Sequence, residues 1–259
     1  AWESAEPFEP QRADKIAAAY LDARRHNQDF QETAVRLDAE SLLPAGELGK
    51  LWQQNFQAAA KRIDGALLQS PKLPPFAYEI PFDGQTLQGS LGNLYQCGQV
   101  FYLDRKPNAP QRIALLLEHL IFCTVGSSET ETRQTHIVQP EETTLYPEIP
   151  SSQAQQMLQK WLTFFNLGQT RPLPFFAKTS LATAEAYGKK QSWEDALNKA
   201  KESYHGNKVS KGQKDYTEVE LVFGDEDTEP VEGALFQRLV EELLIPLLDA
   251  VKEESSDAA

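Results

Sequence analysis

Cysteine is scarce in this chain, with only Cys97 and Cys123 among 259 residues. Neither belongs to a CxxC pair, so a disulfide framework and a zinc module are both excluded. The expected state is two reduced thiols in a cytosolic protein. Long apolar runs are also missing. The longest, IALLLEHLIFC over Ile113–Cys123, carries Glu118 and His119 inside it and falls well short of the roughly 20 residues a membrane helix needs. It reads as a core helix, and no membrane contact is expected. A basic excess is absent as well, since the net charge is −13. That argues against a free-standing nucleic-acid binder, whose phosphate-neutralising surface would show as surplus lysine and arginine. No charged segment followed by an apolar one opens the chain, so no secretory signal is read. The first residue is Ala1 rather than methionine, and the chain is expected to be a piece of something longer. P-loop, GxSxG, HExxH and dinucleotide fingerprints do not occur.

What is present is an ordinary globular composition, 41% hydrophobic and 24% charged, long enough to bury a core without metals or disulfides. Apolar residues at helical spacing predict helices over 11–27 and 33–42. They predict a longer one over Gly46–Gln69, where Leu48, Leu51, Trp52, Phe56, Ala59, Ile63 and Leu67 trace one stripe. The period then changes. Ser70–Phe82, Gln85–Gln96 and Gln99–Asp104 are extended or alternating, with turns at Asp83-Gly84 and Cys97-Gly98. Together they predict a three-stranded antiparallel meander. The apolar helix follows, then a hairpin over Arg133–Tyr146 whose polar flanks mark it as an element that protrudes. Helices are expected from Ser151, capped by Ser151 or Ser152, near 180–187, over 193–204 and over 233–253. Pro246 is expected to kink the last of these. The four histidines, His26, His119, His136 and His205, read as scattered structural residues with no nucleophile beside them.

One constellation invites a catalytic reading. Asp104 and Lys106 form an Asp-x-Lys pair at a strand terminus, and residues two apart on a strand share a face. Helix, antiparallel strands, apolar helix, then strand and helix is the order of the PD-(D/E)xK nucleases. Their chemistry needs an acid on one hairpin strand, and on the next strand a second acid followed two residues later by lysine. Magnesium between the acids activates water. The position for the first acid in GSLGNLY is Gly92, which offers no ligand. Lys50 stands where RecB-type members place a histidine, Gln54 where they place a glutamate, and Gln111 near the place of their glutamine. Only Asp104 and Lys106 remain, and a D/E-x-K triplet arises about twice by chance in a chain of this composition. The expectation is a degenerate site with Lys50, Gly92, Asp104 and Lys106 as its vestigial positions, no catalytic residue and no metal. The alternative is an active magnesium-dependent exonuclease that recruits Glu79 or Asp83 to join Asp104.

Several segments carry a resemblance across nearly the whole chain: EPF at Glu6–Phe8, LPAGELGKLW at Leu43–Trp52, LEHLIFCTVG at Leu117–Gly126, YHGN at Tyr204–Asn207 and LLIPLL at Leu243–Leu248. The sequence resembles the RecC C-terminal domain, part of the gamma chain of bacterial exodeoxyribonuclease V, the RecBCD complex. The resemblance implies an α/β, restriction-endonuclease-like core that has lost its catalysis. A helical N-terminal part over 1–72 would pack on a core over 73–253, one compact domain in all, ahead of a disordered tail over 254–259. It implies a bacterial, cytoplasmic subunit that scaffolds RecB-like and RecD-like motors and helps split or channel DNA strands. Magnesium and ATP would be used by those partners, and this domain would carry no cofactor. DNA or partner contacts are expected at Lys199, Lys201, Lys208, Lys211, Lys214 and Arg133, with autonomous single-strand binding through the lysines as a further possibility.

Overall fold

The computed structural model describes residues 10–63, 65–190, 192–206, 211–224 and 229–252. Contacts divide the chain into two interleaved units. The first comprises Ala1–Ala77, Ser90–Pro107 and Ser127–Tyr146, the second Tyr78–Gly89, Asn108–Gly126 and Pro147–Ala259. The expected tail over 254–259 lies outside the described residues.

The first unit begins with α1 (Pro10–Arg25), α2 (Phe30–Ala39), α3 (Glu47–Arg62) and α4 (Gly65–Gln69). The single helix expected over Gly46–Gln69 is therefore two. Ile63 leaves the helical region at φ −67°, ψ 126°, and its side chain is buried beside Leu67 and Leu68. Arginines close the ends of three of these helices. Arg12 donates to the carbonyls of Leu42 and Ser41 beyond α2, at 2.6 and 2.8 Å. Arg24 donates to Lys61 and Ile63 at the end of α3, at 2.6 and 2.9 Å. Arg25 donates to Leu68 and Ser70 at the end of α4, at 2.5 and 2.8 Å. The last carbonyls of a helix lack partners within it, and a cation there also opposes the helix dipole. At the start of α3, a Cβ on Gly49 would sit 1.9 Å from the Pro44 carbonyl oxygen. The LPAGELG stretch is thus a close backbone approach that only glycine permits.

The strands differ from the expected meander. β1 (Phe76–Phe82) and β2 (Gln85–Leu91) form a sheet of their own, joined by Asp83 and Gly84 with φ of 42° and 75°. Positive φ at both central residues is what a tight type I′ hairpin requires. β3 (Leu94–Tyr95), β4 (Gly98–Tyr102), β5 (Thr135–Val138) and β6 (Thr143–Tyr146) form a second sheet in chain order. The break comes at Asn93, whose φ is 54°. Pro71–Leu73 extends the second sheet, because Leu73 N–H donates to Leu94 and Gln96 N–H to Pro71. β4 and β5 are parallel, with Val100 opposite His136 and Tyr102 opposite Val138, whereas β3–β4 and β5–β6 are antiparallel. The Arg133–Tyr146 hairpin does not protrude. Its first strand is interior to this sheet, with Thr135, Ile137 and Val138 buried.

Two apolar clusters join helices to strands. Leu21, Ala59, Ile63, Leu67 and Leu68 meet Tyr95, Val100 and Val138. Ile16, Tyr20, Leu37, Phe56 and Ala60 form the other, and Tyr102 packs against both. Phe56 is buried as the predicted stripe requires, but Leu48 and Leu51 are exposed.

In the second unit, α5 (Ala109–Val125) opens on a reciprocal cap. Asn108 Oδ1 accepts from Gln111 N–H and Gln111 Oε1 accepts from Asn108 N–H, both at 3.0 Å. There follow α6 (Ser151–Gly168), α7 (Ala177–Lys190), α8 (Trp193–His205), a 3₁₀ turn (Gln213–Asp215) and α9 (Thr217–Phe223). Neither Ser151 nor Ser152 is the N-cap of α6. Pro150 holds that place, and Ser151 Oγ instead donates to Thr124 O at 2.9 Å. The last helical run is α10 (Ala234–Leu239), a π-helical turn (Val240–Leu244) and α11 (Ile245–Ala250). Pro246 acts here through the turn before it. Its ring removes one donor and crowds the carbonyl four residues back, and Ile245 N–H reaches Val240 O in the wider spacing.

The double-ended arginine clamps predict a stability effect. Arg25→Ala should lower unfolding free energy by about 1–3 kcal/mol, the cost of leaving partly buried carbonyls without a charged donor. Arg25→Lys should recover only part of it, because one ammonium does not span both oxygens. Urea denaturation checks this.

Candidate functional site

The strand termini bring together only part of the predicted constellation. Asp104 lies two residues beyond the end of β4 and is half-buried, while Lys106 is exposed with Nζ 3.6 Å from Glu142 Oε1. Gly92 sits between β2 and β3, its carbonyl accepting from Gln99 Nε2 at 3.3 Å. A Cβ at Gly92 would meet nothing within 4 Å. An aspartate would therefore fit there, and packing does not account for the glycine. Lys50 is on α3, exposed and paired with Glu47 at 2.7 Å. Gln111 is occupied as a capping residue.

Magnesium takes near-octahedral oxygen ligation, usually from one or two carboxylates with waters and substrate phosphates; here the strand terminus contributes Asp104, with Lys106 two residues on and Glu142 beside that lysine. Among the described residues, no three His, Cys, Asp or Glu side chains converge where they could hold a cation.

The lysines named from sequence fall on α8 and in the segment that follows it. Lys199 pairs with Glu202 at 3.0 Å, and Lys201 pairs with Glu232, the contact that raises its pKa. Lys211 stands 5.4 Å over the Tyr216 ring, and Lys214 is exposed in the 3₁₀ turn. Arg133 is half-buried in the segment leading into β5. Lys208 falls outside the described residues. Acidic side chains pair with the first two in solvent-exposed contacts, which contribute little.

One pairing was overlooked, although its four-residue spacing in LEHLIFC was a usable signal. His119 and Cys123 lie one turn apart on α5, both fully buried, with Cys123 Sγ 3.5 Å from His119 Nε2. The same ring nitrogen is 3.0 Å from the Pro147 carbonyl, and Ile149 N–H donates to the sulfur at 3.5 Å. A histidine does sit beside a cysteine, contrary to the sequence reading. Its burial makes it a tie between α5 and the chain before α6 rather than an open catalytic pair. Burial pushes the His119 pKa down from 6.5 to about 4, against the hydrogen bond to Pro147, which raises it.

The folded imidazole stays neutral down to about pH 4, whereas the unfolded chain takes up this proton near 6.5. Between those values the unfolded state binds more protons, so stability is complete above the window and declines as pH falls through it. The span is worth about 3 kcal/mol at most. Comparing Tm between pH 7 and 4.5 should show a smaller acid loss in His119→Gln than in the parent.

Comparison with protein families matches residues 1–188 to the RecC C-terminal domain. Among curated proteins, the comparison finds no match.

Proposed function

This chain belongs to the RecC C-terminal domain family, and from that premise we propose that it is a nuclease-shaped domain without nuclease chemistry. The family indicates a RecC subunit of RecBCD, the exodeoxyribonuclease complex of DNA repair and recombination whose other subunits are RecB and RecD. In our reading, residues 73–253 are a degenerate PD-(D/E)xK core and 1–72 its helical part. The domain holds the motor subunits together in the bacterial cytoplasm, while magnesium and ATP are used by the partners.

The observation that carries the loss of chemistry is Gly92. A nuclease of this class needs a carboxylate there, the space for one is open, and without it Asp104 stands as a single acid. The connectivity supports the shape. Pro71–Leu73, β3 and β4 run as antiparallel neighbours, α5 follows, and β5 returns parallel to β4, an order consistent with a nuclease core. For a role in parting strands, the better element is the β1–β2 hairpin, whose Ala77, Glu79, Pro81, Thr86, Gln88 and Ser90 are all exposed.

Two measurements test this. The full-length subunit incubated with linear DNA and magnesium or manganese should degrade nothing, and degradation that disappears in Asp104→Ala would overturn the reading. Full-length parent should co-purify with RecB-type and RecD-type subunits, and failure to do so would remove the scaffolding role.

A further inference from the structure

The β1–β2 hairpin is a sheet of two strands, and its sequence guards the two edges unequally. An exposed edge offers a row of unpaired N–H and C=O groups to any other strand, and proteins blunt such edges with proline or charge. β1 has both, in Glu79 and Pro81, each of them exposed. β2 has neither. Although 24% of the chain is charged, no charged residue and no proline occurs from Gln85 to Leu103.

The two-residue turn at Asp83 and Gly84 pairs Phe82 with Gln85 and so sets Tyr78 opposite Gly89. A Cβ on that glycine would lie 2.6 Å from the Tyr78 hydroxyl. Tyr78, Ile80 and Leu87 are buried or half-buried on one face, while Thr86 and Gln88 are exposed on the other. Residues of an antiparallel strand alternate between those that bond to the partner strand and those whose backbone points away. In this register Leu87 and Gly89 bond to β1, and the N–H and C=O of Thr86 and Gln88 point outward. Among the described residues, no further backbone bond reaches them. The end of α6 steadies this edge, since Asn166 Nδ2 donates to Gln85 Oε1 at 3.3 Å, and Phe165 beside it is 64% exposed. A two-stranded hairpin is marginal without such support.

The chemistry of that row selects what fits it. Donor and acceptor alternate along the edge at strand spacing, which another extended backbone matches. A nucleic-acid strand offers acceptors alone along its phosphates, and Glu79 and Asp83, the charges of the hairpin itself, repel it. A second copy would bring its own Glu79 and Asp83 to the same sheet, and each chain carries a net charge of −13. We propose that the outer edge of β2 is a strand-addition site that takes an extended, acid-free segment of another protein as a third strand, with an apolar side chain of that segment covering Phe165. The site requires neither the scaffolding role nor a nuclease-like core.

The test uses the full-length subunit and a synthetic probe peptide of alternating threonine and valine with a lysine at each end. Hydrogen exchange across Gln85–Leu91 should slow when the probe is added. Gln88→Pro removes one outward donor and guards the edge, and it should weaken binding about tenfold, the loss of one or two hydrogen bonds. A probe N-methylated at alternate residues keeps its side chains and loses its edge-facing donors. It should bind as weakly to the unaltered protein, so the result does not depend on how the proline variant folds. No binding by the parent, or equal binding of the methylated probe, would overturn the assignment. So would slowed exchange in β2 that appears with rising subunit concentration alone, which makes the occupant a second copy, or with single-stranded DNA alone.

Discussion

Three arginines on one helix settle how the first unit is put together. Arg12, Arg24 and Arg25 each reach two carbonyls where another helix ends. α4 has five residues and α2 ten, lengths at which an isolated helix gains too few hydrogen bonds to offset nucleation. Fixing their ends to α1 turns separate short helices into one body. It also sets Ile63, Leu67 and Leu68 at the position from which they pack on Val100 and Val138. Tyr102 lies where the two clusters meet. Burial pushes its hydroxyl pKa up even with the Arg25 charge nearby to lower it, a measure of how little water reaches this junction.

The sheet carried by those helices sets the strand terminus on which the proposed function rests. A parallel pair reached through an intervening helix places the ends of β4 and β5 side by side, and Asp104 follows directly. Such a strand terminus is a natural place to gather ligands, because neighbouring backbones converge there while side chains remain free to vary. Around Gly92 the position a Cβ would take is open, Lys50 is turned to Glu47, and Gln111 is held in a helix cap.

The second unit shows local constraints answered by neighbouring backbone. Pro246 would break a regular helix, and the turn before it widens so that Ile245 bonds five residues back. His119 is buried and tied to a carbonyl and a thiol, and burial pushes its pKa down to about 4.

Much of the helical content was legible because 3.6-residue periodicity is a local signal. α1, α5, α8 and the C-terminal run lie where apolar spacing puts them. The pairing of strands could not. Gln85–Gln96 alternates throughout, yet the positive φ at Asn93 sends its two halves into different sheets, and alternation is the same whichever neighbour a strand finds. The Arg133–Tyr146 segment looked like a surface hairpin from its polar flanks, but parallel pairing with β4 makes its first strand interior. The arginine clamps join residues 29 to 45 positions apart, and no local pattern marks them. Composition and periodicity by themselves determined the helices and the mixed class, because these depend on residue type and near neighbours. Tertiary structure alone decided which strands pair, where helices stop and which apolar residues stay exposed, because those outcomes turn on contacts between segments distant in the chain.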